Sequence, residues 1–196
     1  MPSAPEAEGD FLYPDETETG IKIMSVNLLL DDETTPVLWR GPIIAGTVKQ
    51  FYSDIIWGDI DYMFIDCPPG TGDVPLTIFQ SIPIDGVVVV TTPQDLVSVI
   101  VGKAVHMADS MNIPVIGMIE NMSYFICPDC NNKHYIFGKS QLEQVIRDLY
   151  IGHAIRLPIN PSLAGLMDRG EIEHMEANAD LQEFADLIST FDPDKY

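Results

Sequence analysis

Three uninterrupted apolar runs mark the middle of the chain: "YMFI" (62–65), "GVVVV" (86–90) and "VIGMI" (115–119). None alternates with polar residues. Unbroken apolar runs bounded by turn residues predict strands buried on both faces, as in a parallel sheet. Helical spacing separates them. "GPIIAGTVKQFYSDIIW" (41–57) repeats Ile44, Val48, Phe51 and Ile55 at that spacing and carries Pro42 in its first turn, where proline is tolerated. "VPLTIFQSI" (74–82) is shorter, and "DLVSVIVGKAVHMADSM" (95–111) places Leu96, Ile100, Ala104 and Met107 on one face, with Asp95 as its N-cap. Strand and helix alternate, which predicts an α/β fold with a mostly parallel sheet and flanking helices.

Towards the ends the pattern changes. Residues 1–19 read as a flexible acidic arm, "GIKIMSVNLLL" (20–30) as a strand region, and "DDETTP" (31–36) as a loop. Residues 123–138 read as an inserted hairpin holding "CPDC". Beyond it, "SQLEQVIRDLY" (140–150) opens with Ser140 and Glu143 in capping-box spacing. "HAIRLPI" (153–159) is a last short strand, and helices follow at 161–170 and 179–191. Residues 20–192 are therefore expected to form a single domain, with no internal repeat.

Composition narrows the functional classes. With 196 residues and 46% hydrophobic content the chain is long and apolar enough for a real core. Its net charge of −20 lacks the basic patch of a nucleic-acid binder and disfavours anionic membrane surfaces. No apolar run reaches the roughly 20 residues that span a bilayer. The start shows no signal-peptide pattern, so the expected setting is the cytoplasm. The three cysteines, Cys67, Cys127 and Cys130, point to reduced thiols or metal ligands rather than to a disulfide framework.

The chemistry gathers where strands are expected to end. A buried strand ending in "FID" puts the Asp66 carboxylate at the carboxyl edge of a parallel sheet, where ligands of open α/β sheets bind. An aspartate there suits Mg2+ beside phosphate. In the following "PPGTGD", Gly70 and Gly72 let backbone N–H groups approach an anion, Thr71 adds a hydroxyl, and Asp73 is placed to cap the next helix. An ordinary strand-to-helix turn fits the same local pattern. "VVVVTTPQD" (87–95), with Pro93, and "VIGMIENMS" (115–123), with Asn121, end at the same edge. The paired donor and acceptor of Asn121 suit a purine edge, and Pro158 in "RLPINP" suits a flat base.

Taken together, "WRGPII", "DYMFIDCPPGTGDVPLTIFQ", "VVVTTPQ", "GMIENMSYFICPDC" and "IFG" resemble the Mrp/nucleotide-binding-protein family of iron–sulfur cluster carriers, related to the MinD/ParA-type P-loop ATPases. The resemblance covers about residues 20–175. It implies a P-loop NTPase-like fold and a homodimer that shares a [4Fe-4S] cluster through Cys127 and Cys130 and delivers it to apo iron–sulfur proteins. It also implies ATP and Mg2+, with Asp66 as the Walker B aspartate. Gly70, Thr71, Gly72 and Asp73 become the γ-phosphate switch, and Asn121, Pro93 and Pro158 nucleotide contacts.

One part of that pattern is absent. No G-x-x-x-x-G-K-[ST] loop occurs in the sequence; "GKS" at Gly138–Ser140 has Lys133 where the first glycine belongs. The family's P-loop lies upstream of the matched region, so the first half of the site is expected to precede residue 1. Three readings follow: a truncated product, half of a split protein completed by a separate fragment, or a member that keeps the cluster role without ATP hydrolysis. For the cysteines, two per chain fit a four-thiolate site shared across a two-fold axis. Zn2+ held by paired hairpins is the alternative metal. A thioredoxin-like redox pair is the weaker rival, because "CPDC" runs into a turn rather than a helix. His134 stands four residues beyond Cys130 and reads either as a third ligand or as a surface histidine.

Overall fold

A computed structural model describes residues 7–8, 11–30, 41–175 and 178–195. The loop expected at 31–36, and Trp39 and Arg40 of the "WRGPII" stretch, lie outside the described residues. Contacts divide the chain into two units, Met1–Ile82 and Pro83–Tyr196.

In the first unit, β1 (Ala7–Glu8) pairs antiparallel with β2 (Phe11–Leu12), and β3 (Asp15–Glu16) with β4 (Lys22–Ile23). The expected arm thus contributes three short strands, β1, β2 and β3. The strand region expected at 20–30 shrinks to β4, followed by a 3-10 turn at Val26–Leu29 that Ser25 caps through its hydroxyl. Helix α1 (Gly41–Ser53) matches the apolar spacing and packs against α2 (Asp73–Ser81). After α1, Ile55 is buried and bridges Leu12, and the Trp57 indole N–H donates to the Phe51 carbonyl at 2.9 Å.

The apolar run at 62–65 departs from expectation. It forms no strand, and Tyr62, Met63, Phe64 and Ile65 are all exposed, Phe64 at 74%. A strand exists only where neighbouring backbone satisfies its N–H and C=O groups, and no described segment pairs with this one. The expected carboxyl edge at Asp66 is therefore not formed.

The second unit carries the sheet. Central β6 (Val115–Ile126) pairs parallel with β5 (Val87–Thr91) on one side and with β8 (Ala154–Pro158) on the other; near its end it pairs antiparallel with β7 (Lys133–His134). Around this mostly parallel sheet lie α3 (Asp95–Ser110), α4 (Leu142–Asp148), α5 (Pro161–Asp168) and α6 (Ala179–Ser189). Asn160 and Asn178 cap α5 and α6 through their side-chain oxygens. The core is Val89, Val101, Val105, Met118, Leu142 and Ile151. Each such buried side chain contributes roughly 1.5–3 kcal/mol. Two details of α3 differ from the sequence reading. Gln94, not Asp95, holds the cap position. The face turned inward is Val101, Val105 and Ala108, while Ile100 is exposed. The side chains of Asp95 and Leu96 lie outside the described ones.

No helix among the described residues is long and apolar enough to cross a membrane.

Candidate functional site

The cysteine hairpin is built by β6 running past the sheet. Phe125 pairs with His134 and Ile126 with Lys133, and the Cys127 N–H continues the ladder by donating to the Asn132 carbonyl at 3.0 Å. The intervening turn closes when the Asn131 N–H donates to the Cys127 carbonyl at 2.9 Å. Asn131 takes φ 56°, a left-handed conformation that asparagine tolerates better than most residues. Lys133 lies 4.1 Å from the centre of the Tyr124 ring, a cation–π contact that holds the two strands together. The outcome is a knuckle with Cys130 exposed and Cys127 partly exposed. The ligand atoms of Cys127, Cys130 and His134 lie within 4.8 Å of one another. Backbone N–H groups of Cys130 and Asp129, and then the Cys130 side chain, interact with the Cys127 sulfur and hold its thiol below the ordinary range. A lowered thiol binds metal more readily at neutral pH, because the thiolate is the ligand.

Upstream in the same strand, β6 is distorted. Its register against β8 shifts between Glu120 and Tyr124, and Met122 takes φ 54°. The Asn121 side-chain oxygen turns back to accept the Met122 N–H at 2.9 Å. The same distortion buries Glu120, 2% exposed, beside Ser123. Ser123 donates its hydroxyl to one Glu120 oxygen and Ser140 donates to the other at 2.9 Å. Arg156 donates to the Ser140 hydroxyl at 3.1 Å and lies 3.7 Å from the Glu120 carboxylate. A buried carboxylate requires such partners. This network escapes a reading of the sequence, although a lone glutamate at the end of "VIGMIE" is its available signal. It also claims the expected capping box: the Ser140 oxygen accepts the Leu142 N–H at 3.2 Å, whereas Glu143 turns to Arg156 at 3.0 Å.

An open cleft lies beside the network, lined in part by Thr91, Thr92, Pro93, Gln94, Glu120 and Gln141. Pro93 is thus at the cleft. Asn121 and Pro158 are not among its lining residues; Pro158 sits in β8 opposite Tyr124.

In the first unit, Asp66 is exposed on the irregular segment before α2. Gly70 has φ +89°, open to glycine and strained for other residues. Thr71 is exposed, Gly72 holds the N-cap position of α2, and Asp73 stands in the first turn rather than at the cap. The Asp73 carboxylate packs against Gly41, where an added Cβ would collide with it. Glycine at the start of α1 thus makes room for a negative group beside a helix N-terminus, which the helix dipole favours. Cys67 is partly buried, and burial followed by the neighbouring Asp66 charge pushes its thiol up.

Comparison with known proteins extends this picture. Residues 2–191 match the ParA family described as NUBPL iron-transfer P-loop NTPase. The iron-sulfur cluster carrier protein of Methanocaldococcus jannaschii is 48% identical over 160 residues, 81% of this chain and 55% of that protein. The protein of the same description from Methanococcus maripaludis is 40% identical over 188 residues, 95% of this chain and 65% of its own length. The chain therefore spans less than two thirds of the length of both relatives. Among solved structures, the nucleotide-binding protein of Archaeoglobus fulgidus, in complex with ADP and with cobalt found by PIXE, superposes with a TM-score of 0.77 at 38% identity. That match covers 92% of this chain and 69% of the other. Sequence motifs, the parallel sheet and these matches agree: the chain belongs to the ParA family of NUBPL-type iron-transfer P-loop NTPases.

Proposed function

We propose that the protein carries an iron–sulfur cluster as cargo between Cys127 and Cys130 of two copies and delivers it to apo iron–sulfur proteins in the cytoplasm. The observation that carries this reading is the placement of the two thiols. They stand at the tip of a hairpin that a central strand pushes beyond the sheet, within reach of each other and of solvent. Two thiolates per chain give four in a two-fold dimer, the number a [4Fe-4S] cluster takes. An accessible position suits cargo that must leave as well as bind. The names of the relatives, iron-sulfur cluster carrier proteins, support the same reading.

Nucleotide enters this proposal as a ligand. The ADP in the Archaeoglobus fulgidus protein supports it. Asp66 is assigned to magnesium, Gly70 to Asp73 to the phosphate end, and Pro93, Asn121 and Pro158 to the base end. The fit is partial. The sequence holds no glycine-rich loop ending in lysine to position and neutralise phosphates, so these residues are assigned to nucleotide binding, and hydrolysis to a site completed by such a loop from a separate fragment.

The test is anaerobic reconstitution with ferrous iron and sulfide, reading iron per chain, visible absorbance and mass together. The expected result is about two irons per chain in a dimer, since four irons are divided between two copies. Cys127→Ser is expected to lose them. An iron content unchanged by that substitution would sink the proposal.

A further inference from the structure

We propose that Cys127, Cys130 and His134 of a single chain form a three-ligand site for one divalent transition ion of the zinc type, with the fourth position open. The inference deepens the cargo reading above and rests on it, since it concerns what else the same hairpin binds. More than closeness in sequence puts His134 there. The ladder pairs it with Phe125, and side chains two apart on a strand share a face. Cys127 lies two residues beyond Phe125 and faces Asn132 across the hairpin, so Cys127 and His134 are diagonal neighbours on one face. The turn through Asn131 then brings Cys130 back towards both. Lys133, next in the strand, takes its charge to the Tyr124 ring instead of the ligand cluster.

The distances suit an ion. Two thiolates at about 2.3 Å and an imidazole nitrogen at about 2.0 Å from a tetrahedral centre stand about 3.5–3.8 Å apart. The three ligand atoms already lie within 4.8 Å of one another, so side-chain rotations alone can close the site. The charges suit it too. Two thiolates neutralise a divalent cation, and neutral imidazole adds a third donor without excess charge. As the ion binds, the two thiols release their protons to solvent. Three protein ligands with one open position is the arrangement of a site that accepts a further ligand rather than a closed structural knot. A second thiol, or a donor from a recipient protein, would be that ligand. Because the ion and the cluster use the same sulfurs, loading with one excludes the other.

The experiment is an anaerobic titration of the full chain with Co2+, whose visible bands report tetrahedral geometry and whose near-ultraviolet charge-transfer bands report thiolate ligation. The expected end point is one cobalt per chain. His134→Ala is expected to weaken binding by about tenfold or more and to reduce the visible bands, given that even outer-shell partners matter at the tenfold level. His134→Cys is expected to restore the tetrahedral spectrum with stronger charge-transfer absorption. Far-ultraviolet circular dichroism checks that both variants fold, as they should with His134 exposed. Saturation at one ion per two chains, with affinity and bands unchanged in His134→Ala, overturns the inference. The cluster reading survives that outcome, because reconstitution with iron and sulfide through Cys127 and Cys130 tests it separately. Failure to bind either cobalt or a cluster overturns both.

Discussion

At the scale of single residues, the three cysteines occupy three different environments, and the differences are chemical. Cys127 is lowered by backbone N–H groups of its own turn, whereas Cys67 is raised by burial and then by the adjacent Asp66 charge. The sign follows directly. A lowered thiol becomes thiolate at a pH below the ordinary thiol value, and a raised one above it. Alkylation consumes the thiolate, so reaction rate tracks that fraction. Differential alkylation read by mass spectrometry between about pH 6 and 10, the range that brackets ordinary thiol titration, should place the half-point of Cys127 to the acid side of a free thiol. That of Cys67 should fall to the alkaline side. The reverse order would mean that the "CPDC" turn is not formed in the metal-free protein. Asn121 teaches a related lesson at this scale. Its position after an apolar run suggests a purine contact, and its side-chain oxygen also accepts the Met122 N–H, which leaves a second lone pair and the amide N–H donors for a base. A competitor in the adjoining backbone is invisible in a pattern of spacing.

At the scale of elements, β6 is the piece on which both the sheet and the hairpin depend. Its centre is tightly packed. A Cβ added at Gly117 would stand 2.9 Å from the buried Phe184 ring and 3.0 Å from the His153 carbonyl. Gly117→Ala should therefore cost about 1–3 kcal/mol through overpacking. The check is a urea melt: the midpoint should fall with the slope unchanged, and an unchanged midpoint would show that α6 can move away freely. The elements of this unit were legible because each strand run has a described partner to pair with. β5, β6 and β8 are apolar runs that found partners. The run at 62–65 is equally apolar and found none, so composition alone did not decide it. Helix α3 shows a subtler limit. Its residues 99–108 carry apolar side chains on more than one stripe, and only packing against Val89 and Met118 selects Val101 and Val105 over Ile100. The hairpin was legible as an insertion because "CPDC" sits between apolar strand signals. The Glu120 network was not, since its members come from positions 120, 123, 140 and 156 and meet only after folding.

At the scale of the whole molecule, the two units differ in what holds them together. Among the described residues, the first unit buries the apolar side chains Ile55, Ile78 and Ile82, while the second buries Val89, Val101, Val105, Ala108, Ile113, Met118, Leu142, Ile151 and Phe184. Local opening is easiest where buried contacts and backbone hydrogen bonds are few. Residues 58–71 of the first unit form no backbone–backbone hydrogen bond with any described residue, and they hold Tyr62 and Phe64, which are large, exposed and aromatic. Such a segment can enter a protease cleft without unfolding anything else. Brief digestion with chymotrypsin should therefore cut first after Tyr62 or Phe64. The product should be a fragment that begins just after the cut and still contains residues 83–196, read by mass spectrometry. Within that fragment the aromatic sites of β6, Tyr124 and Phe125, should resist much longer, because cutting there requires the sheet to open. Early cleavage at Tyr124 would mean that the hairpin strand is loosely held, and a loosely held hairpin could not keep two thiolates and an imidazole in register for a metal ion.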